Sequence, residues 1–168
     1  REAAEKFAKD SDSKLGKIKN ASQGLFTHLG TIKKETMEKY IEIFNKLWEH
    51  SENEVVEFKK AETNFDIDEL GKYFSALSNE ANLRDHEFAW IVFGVWDKKH
   101  QIIGTTFKDG EVALNRLKQD MSQHTTDNLI FRDIVPIEVE GKRVLLFQVP
   151  ASPRNIVMHW KGVAYGRD

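Results

Sequence analysis

The run Phe88-Ala-Trp-Ile-Val-Phe-Gly-Val95 constrains the fold of this chain more than any other segment. It is almost unbroken in apolar character and rich in β-branched and aromatic side chains. That is the composition of a strand whose sheet is covered on both faces. The run therefore predicts the centre of a sheet, with other elements packed above and below it. Tyr40, Ile41, Phe44, Leu47 and Trp48 share one side of a helix beginning near Met37, and Leu70, Phe74, Leu77 and Ala81 share one side of a second beginning near Ile67. A third helix is expected around Val112, Leu114, Leu117 and Met121.

Shorter β-prone runs surround these helices. Glu54 to Lys59 alternates as a strand, with Val56 and Phe58 on one face and Glu57 and Lys59 on the other. Asp97-Lys-Lys-His100 is expected to turn the central run into a hairpin partner, Gln101 to Thr105. Ile134 to Val139 and Val144 to Val149 form two more strands joined through Glu140-Gly-Lys142, and a last β-prone segment runs from Ile156 to Tyr165. Asn79 to Asn82 reads as the close of the second helix. The order predicts an α/β or α+β fold: a mixed sheet with about three packing helices. Residues 1–36 are expected to form an N-terminal helical appendage ending in a connector over 21–36, and residues 37–168 the main domain.

Several classes are excluded. The 168 residues are 40% hydrophobic and include 11 Phe and 4 Trp, enough large side chains for a packed core, which rules out global disorder. Cysteine is absent, so disulfides, thiolate metal sites and a cysteine nucleophile are excluded. No apolar run reaches the roughly 18–20 residues of a membrane span. Arg1 opens a charged stretch, not a signal peptide, so a cytoplasmic protein is expected. The sequence has no G-x-x-x-x-G-K-[ST] loop, no G-x-G-x-x-G turn, no H-E-x-x-H pair among its six histidines and no G-x-S-x-G elbow.

Charge is distributed unevenly. Between Glu49 and Glu69 stand eight acids against Lys59 and Lys60, whereas Lys142, Arg143, Arg154, Lys161 and Arg167 oppose only Asp168 in the C-terminal part. Those five cations are candidates for phosphate contacts along DNA or RNA, and Trp160 is a candidate for base stacking or for the core. Glu52, Glu54 and Glu57 lie at one strand and Asp97 follows the central run. If the two strands adjoin, carboxylates from both could converge on Mg²⁺ or Mn²⁺, which prefer oxygen ligands and can activate water. Acids at strand ends are also ordinary solvent-facing turn residues.

Five segments in order resemble the Schlafen/AlbA-type DNA-binding domain over about Met37 to Asp168. They are Glu52-Asn-Glu-Val-Val-Glu-Phe-Lys59, Tyr73-Phe-Ser-Ala-Leu-Ser-Asn79, Phe93-Gly-Val-Trp-Asp97 with Ile103-Gly104, Gly141-Lys-Arg-Val-Leu-Leu-Phe-Gln-Val-Pro150, and Tyr165-Gly-Arg167. Asn53 replaces a usual Ser, Asn79 is followed by Glu-Ala-Asn in place of a Gly-Gly turn, and Trp96 stands where many relatives carry an acid. The resemblance implies a nucleic-acid-binding module of a bacterial transcriptional regulator or helicase-related protein. It also implies two alternatives. One is a metal-dependent endoribonuclease using Glu52, Glu57 and Asp97 as catalytic metal ligands; the other is an ATP-binding regulatory module. A further C-terminal domain in a longer protein is expected, and self-association is left open. Residues 1–28 resemble, more faintly, a helix and turn near the C-terminus of the SIMPL family.

Overall fold

The computed structural model describes residues 2–167. They form two compact units, residues 1–39 and 40–168. The first helix, α1 (Glu2–His50), contributes to both.

The first unit is helix throughout its described residues. The expected connector over 21–36 is not formed. Leu25, Leu29 and Ile32 continue a helical spacing through that stretch, and a helix-interior glycine costs only about 1 kcal/mol, so Gly24 and Gly30 do not break it.

The second unit is built on a four-stranded sheet. Its strands are β1 (Val56–Lys59), β2 (Phe88–Phe93), β5 (Asp133–Val139) and β6 (Lys142–Pro150), in the order β1-β2-β6-β5. β1 runs parallel to β2, and the remaining pairs are antiparallel. The apolar run is thus an interior strand, as its composition predicts. Two helices, α2 (Ile67–Leu83) and α3 (Glu111–Ser122), follow β1 and precede β5. Asp66 caps α2 by accepting a hydrogen bond from the Glu69 amide.

Strand alternation divides the apolar side chains between two faces. Ile91, Phe93, Leu145, Phe147 and Ile134 pack with Leu70, Phe74 and Leu77 of α2 and Leu114, Leu117 and Met121 of α3. The other face carries Phe58, Val92 and Leu146, aligned across the sheet. There Trp48 meets Phe58 edge-on at 5.2 Å and stacks beside the buried Phe44. Each large side chain so buried stabilises the fold by roughly 1.5–3 kcal/mol.

The expected hairpin partner of the central strand does not join the main sheet. The chain breaks at Gly94, with φ +95°, where a Cβ would lie 3.1 Å from the Arg143 carbonyl. Beyond this break β3 (Val95–Trp96) and β4 (Gln101–Ile102) form a separate ribbon around a 3-10 turn, Asp97–Lys99. The far flank of β2 is taken by β6. The last β-prone segment is a small hairpin, β7 (His159–Trp160) with β8 (Val163–Ala164).

The stretch Asn79 to Asn82 lies in the last turn or so of α2, which ends at Leu83, but Asn79 does more than help close the helix. Its side chain faces the C-terminal segment: the amide nitrogen donates to the Met158 and Tyr165 carbonyls, and the oxygen accepts from the Met158 amide. Ser75 and Ser78 add hydroxyl bonds to the Met158 and Pro150 carbonyls. Three polar residues on one helix face thereby tie the chain's last stretch to the core.

Candidate nucleic-acid interface

Of the five C-terminal cations, Arg143 and Arg167 are engaged inside the fold, whereas Lys142, Arg154 and Lys161 are exposed. Arg143 donates to the carbonyls of Thr105, Phe107 and Lys108 and so pins that loop to β6. Arg167 places Nη1 2.8 Å from Glu57 Oε2, an ion pair without hydrogen-bond alignment, and Glu57 is buried. Lys161 pairs with Asp68 of α2, both half-exposed. Such a surface pair is screened by solvent and holds weakly, so a phosphate could displace the carboxylate. Lys142 donates to the Ile102 carbonyl, and Arg154 is exposed in the loop after β6. Trp160 is a core residue. Its indole occupies the space where a side chain on Gly71 would sit, and its Nε1 donates to Asp68.

The acidic candidates lie near one another but differ in what they pair with. Glu57 contacts Lys59 Nζ at 2.6 Å through its other oxygen, so both oxygens face cations. Burial opposes the charge on Lys59, but hydrogen bonds to Glu57 and to the Tyr73 hydroxyl outweigh it and hold its pKa above the usual lysine range. Glu52 turns Oε1 back to accept the Phe58 amide at 2.8 Å. Burial, followed by the charges of Glu57 and Asp97, holds its carboxyl above the usual range against that hydrogen bond. Glu52 and Asp97 line one cleft of about 420 Å³. Among the described residues no group of three or more carboxylates or histidines is arranged to hold a metal ion. The donors therefore do not fit Mg²⁺ or Mn²⁺ as placed, the physical reason being that Glu57 is already paired twice with cations.

The same cleft contains a feature that charge counting missed. Trp96, half-buried in β3, carries the Lys60 ammonium 3.3 Å and the Lys99 ammonium 4.0 Å from its ring centroid. Lys98 is exposed beside them on the wall. The ribbon that presents Trp96, Lys98 and Lys99 is held from two sides: His100 stacks on Trp48 at 4.2 Å, and Lys142 bonds to the Ile102 carbonyl of β4. Among the described residues no carboxylate pairs with Lys60, Lys98 or Lys99. A signal was present in Asp97-Lys-Lys-His100 after Trp96, an aromatic followed by adjacent bases, but the segment also has the composition of an ordinary turn.

This arrangement can do two things at once. A cation over an aromatic ring is worth roughly 0.5–1 kcal/mol at an exposed site and about 2 kcal/mol when desolvated, comparable with the roughly 1–3 kcal/mol of a nucleobase stacked on an aromatic side chain. A base could therefore replace an ammonium on Trp96, leaving the displaced lysine within reach of the adjoining phosphate.

Comparison with known proteins gives a family and two structural likenesses. Residues 52–168 match the family described as Schlafen, AlbA_2. No curated protein matches the chain. Among solved structures, a crystal structure of a Corynebacterium diphtheriae protein aligns with a TM-score of 0.49 and 16% identity over 77% of this chain. The chain spans only 24% of that protein's length. The solution NMR structure of the N-terminal domain of a RecG-related protein from Nitrosomonas europaea aligns with a TM-score of 0.49 and 19% identity, covering 76% of this chain and 84% of that domain.

Proposed function

The chain belongs to the Schlafen AlbA_2 family, and from that premise we propose that residues 40–168 are a nucleic-acid-binding module that grips a strand at the Trp96 cleft. The single observation carrying this reading is the Trp96 ring flanked by Lys60 and Lys99, with Lys98 beside it. Arg154 and Lys161, where exposed, would extend the contact to further phosphates, and Lys142 supports the ribbon. DNA binding within a bacterial, cytoplasmic regulator or helicase-related protein is the finer form of the proposal.

The test is a fluorescence titration of the chain with labelled single- and double-stranded DNA and RNA at two salt concentrations. Binding should fall steeply with salt, because each neutralised phosphate releases counterions. The tryptophan signal should change on binding. No binding to any of the four at low salt overturns the proposal.

A second reading, an endoribonuclease, has Glu52 and Asp97 in one cleft in its favour and the unfit ligand set against it. Cleavage of a structured RNA in Mn²⁺ that is abolished by Glu52→Gln and Asp97→Asn would establish it. Under the binding proposal the same substitutions tighten binding, since each removes a negative charge near the phosphates. Competition by ATP with Mg²⁺ in the same titration would point to the ATP-binding alternative.

A further inference from the structure

The N-terminal unit exposes an apolar seam. Leu15, Ile18, Leu25, Leu29 and Ile32 are between 45% and 64% exposed, too many large side chains on one helix to be scattered surface residues. Together with Ser22 and Thr36 they follow one another at alternating steps of four and three, the repeat of a coiled coil, with Leu15, Ser22, Leu29 and Thr36 at a and Ile18, Leu25 and Ile32 at d. The polar members suit a covered seam, because their hydroxyls are satisfied within the helix. Ser22 donates to the Lys19 carbonyl and Thr36 to the Ile32 carbonyl. Gly16, Gly24 and Gly30 all fall outside the seam.

The flanking charges select the occupant and its direction. In a parallel pair of identical helices, Lys14 would face Lys19 and His28 would face Lys33 of the second copy, with no opposite-charge pair to compensate. In an antiparallel pair with Ser22 facing Leu25, the layers become Leu15 with Ile32, Ile18 with Leu29, Ser22 with Leu25 and, at the ends, Ser11 with Thr36, each occurring twice. Asp12 then faces Lys33 and Lys14 faces Glu35, also twice, and no like charges meet. Sliding this alignment by one heptad either way sets Lys19 against Lys19 or Lys33. We propose that residues 11–36 are a homodimerisation helix that pairs antiparallel with a second copy of this chain in the Ser22–Leu25 register. The seam's own charge pattern is self-complementary in that register alone among those compared. The dimer would carry two copies of the domain in one particle, and the inference does not depend on what that domain binds.

Sedimentation equilibrium of the chain should show a reversible dimer of twice the chain mass. Leu25→Glu with Leu29→Glu should leave a monomer whose domain melts unchanged. Lys14→Glu should weaken dimerisation about tenfold, since two attractive flanking pairs become repulsive, and adding Glu35→Lys should restore it. Because the chain has no cysteine, Lys9→Cys gives one spin label per copy. The labels should lie about 45 Å apart at 1.5 Å per residue, against about 20 Å or less in a parallel pair. A chain that stays monomeric at every concentration, a dimer that survives the Leu25/Leu29 change, failed rescue by Glu35→Lys, or a short label distance overturns the proposal.

Discussion

The C-terminal third and the Trp96 cleft both gather cations, yet they differ in what those cations meet. Arg143 and Arg167 end against three carbonyls and a buried carboxylate. Lys60 and Lys99 end over an indole, and Lys98 in solvent. A buried cation that lacks a partner is costly, so the fold supplies one and the charge is no longer available to a ligand. An exposed lysine over a half-buried ring, with no carboxylate paired to it, can be given up to a ligand. The local density of Lys and Arg therefore measures attraction for phosphate only where the surrounding structure leaves it unengaged.

Substitutions sharpen the contrast. Arg167→Ala should have the largest effect, a loss of about 2–3 kcal/mol of stability by thermal or urea unfolding. Removing one partner exposes Glu57 to the desolvation cost of a buried charge, with Lys59 compensating in part. Nucleic-acid affinity of the folded protein should stay within about twofold. An Arg167→Ala chain that keeps its stability and loses binding would reverse the assignment.

Trp96→Ala should weaken single-strand binding by about 1–3 kcal/mol, the value of one stacked base, with little change in melting temperature. Lys60→Glu should cost about 1 kcal/mol of affinity at low salt and flatten the salt dependence. If neither substitution alters the titration while Lys161→Glu does, the interface lies at the β7 hairpin instead.

The smallest effect is expected from Glu52→Gln and should depend on pH. The carboxyl of Glu52 is raised in the folded chain, so the folded state holds the proton more tightly than the unfolded one. Its contribution to stability is present below the ordinary glutamate range, and is lost as pH rises through the folded pKa. Gln can still accept the Phe58 amide but never ionises. The variant should melt slightly higher than the parent at neutral pH, and the difference should disappear as the pH is lowered below about 4. A difference that grew on acidification would contradict the raised carboxyl.

Much of the fold was legible because burial leaves a mark on composition. Phe88 to Phe93 could be read as an interior strand since no polar residue interrupts it, and Leu70, Phe74 and Leu77 as a helix face since their spacing repeats with the helical turn. Boundaries that depend on one residue's surroundings were less visible. The ribbon leaves the sheet at Gly94 because the Arg143 carbonyl, 49 positions away, closes off the space a side chain would need. Asn79 to Asn82 could be read as the close of α2, but nothing local shows that Met158 and Tyr165 present backbone groups to Asn79.

The sequence by itself determined the central strand, the faces of α2 and α3, the absence of cysteine and of a P-loop motif, and the family of the domain, all of which depend on residue type and local spacing. Only the tertiary structure decided which charges remain for a ligand. It paired Glu57 with Lys59 and Arg167, drew Arg143 into a loop, buried Trp160 against Gly71, and left Trp96 with its lysines at a cleft. The physical reason is that a charge's availability depends on its partners and on its access to water. Both are fixed by residues far apart in the chain.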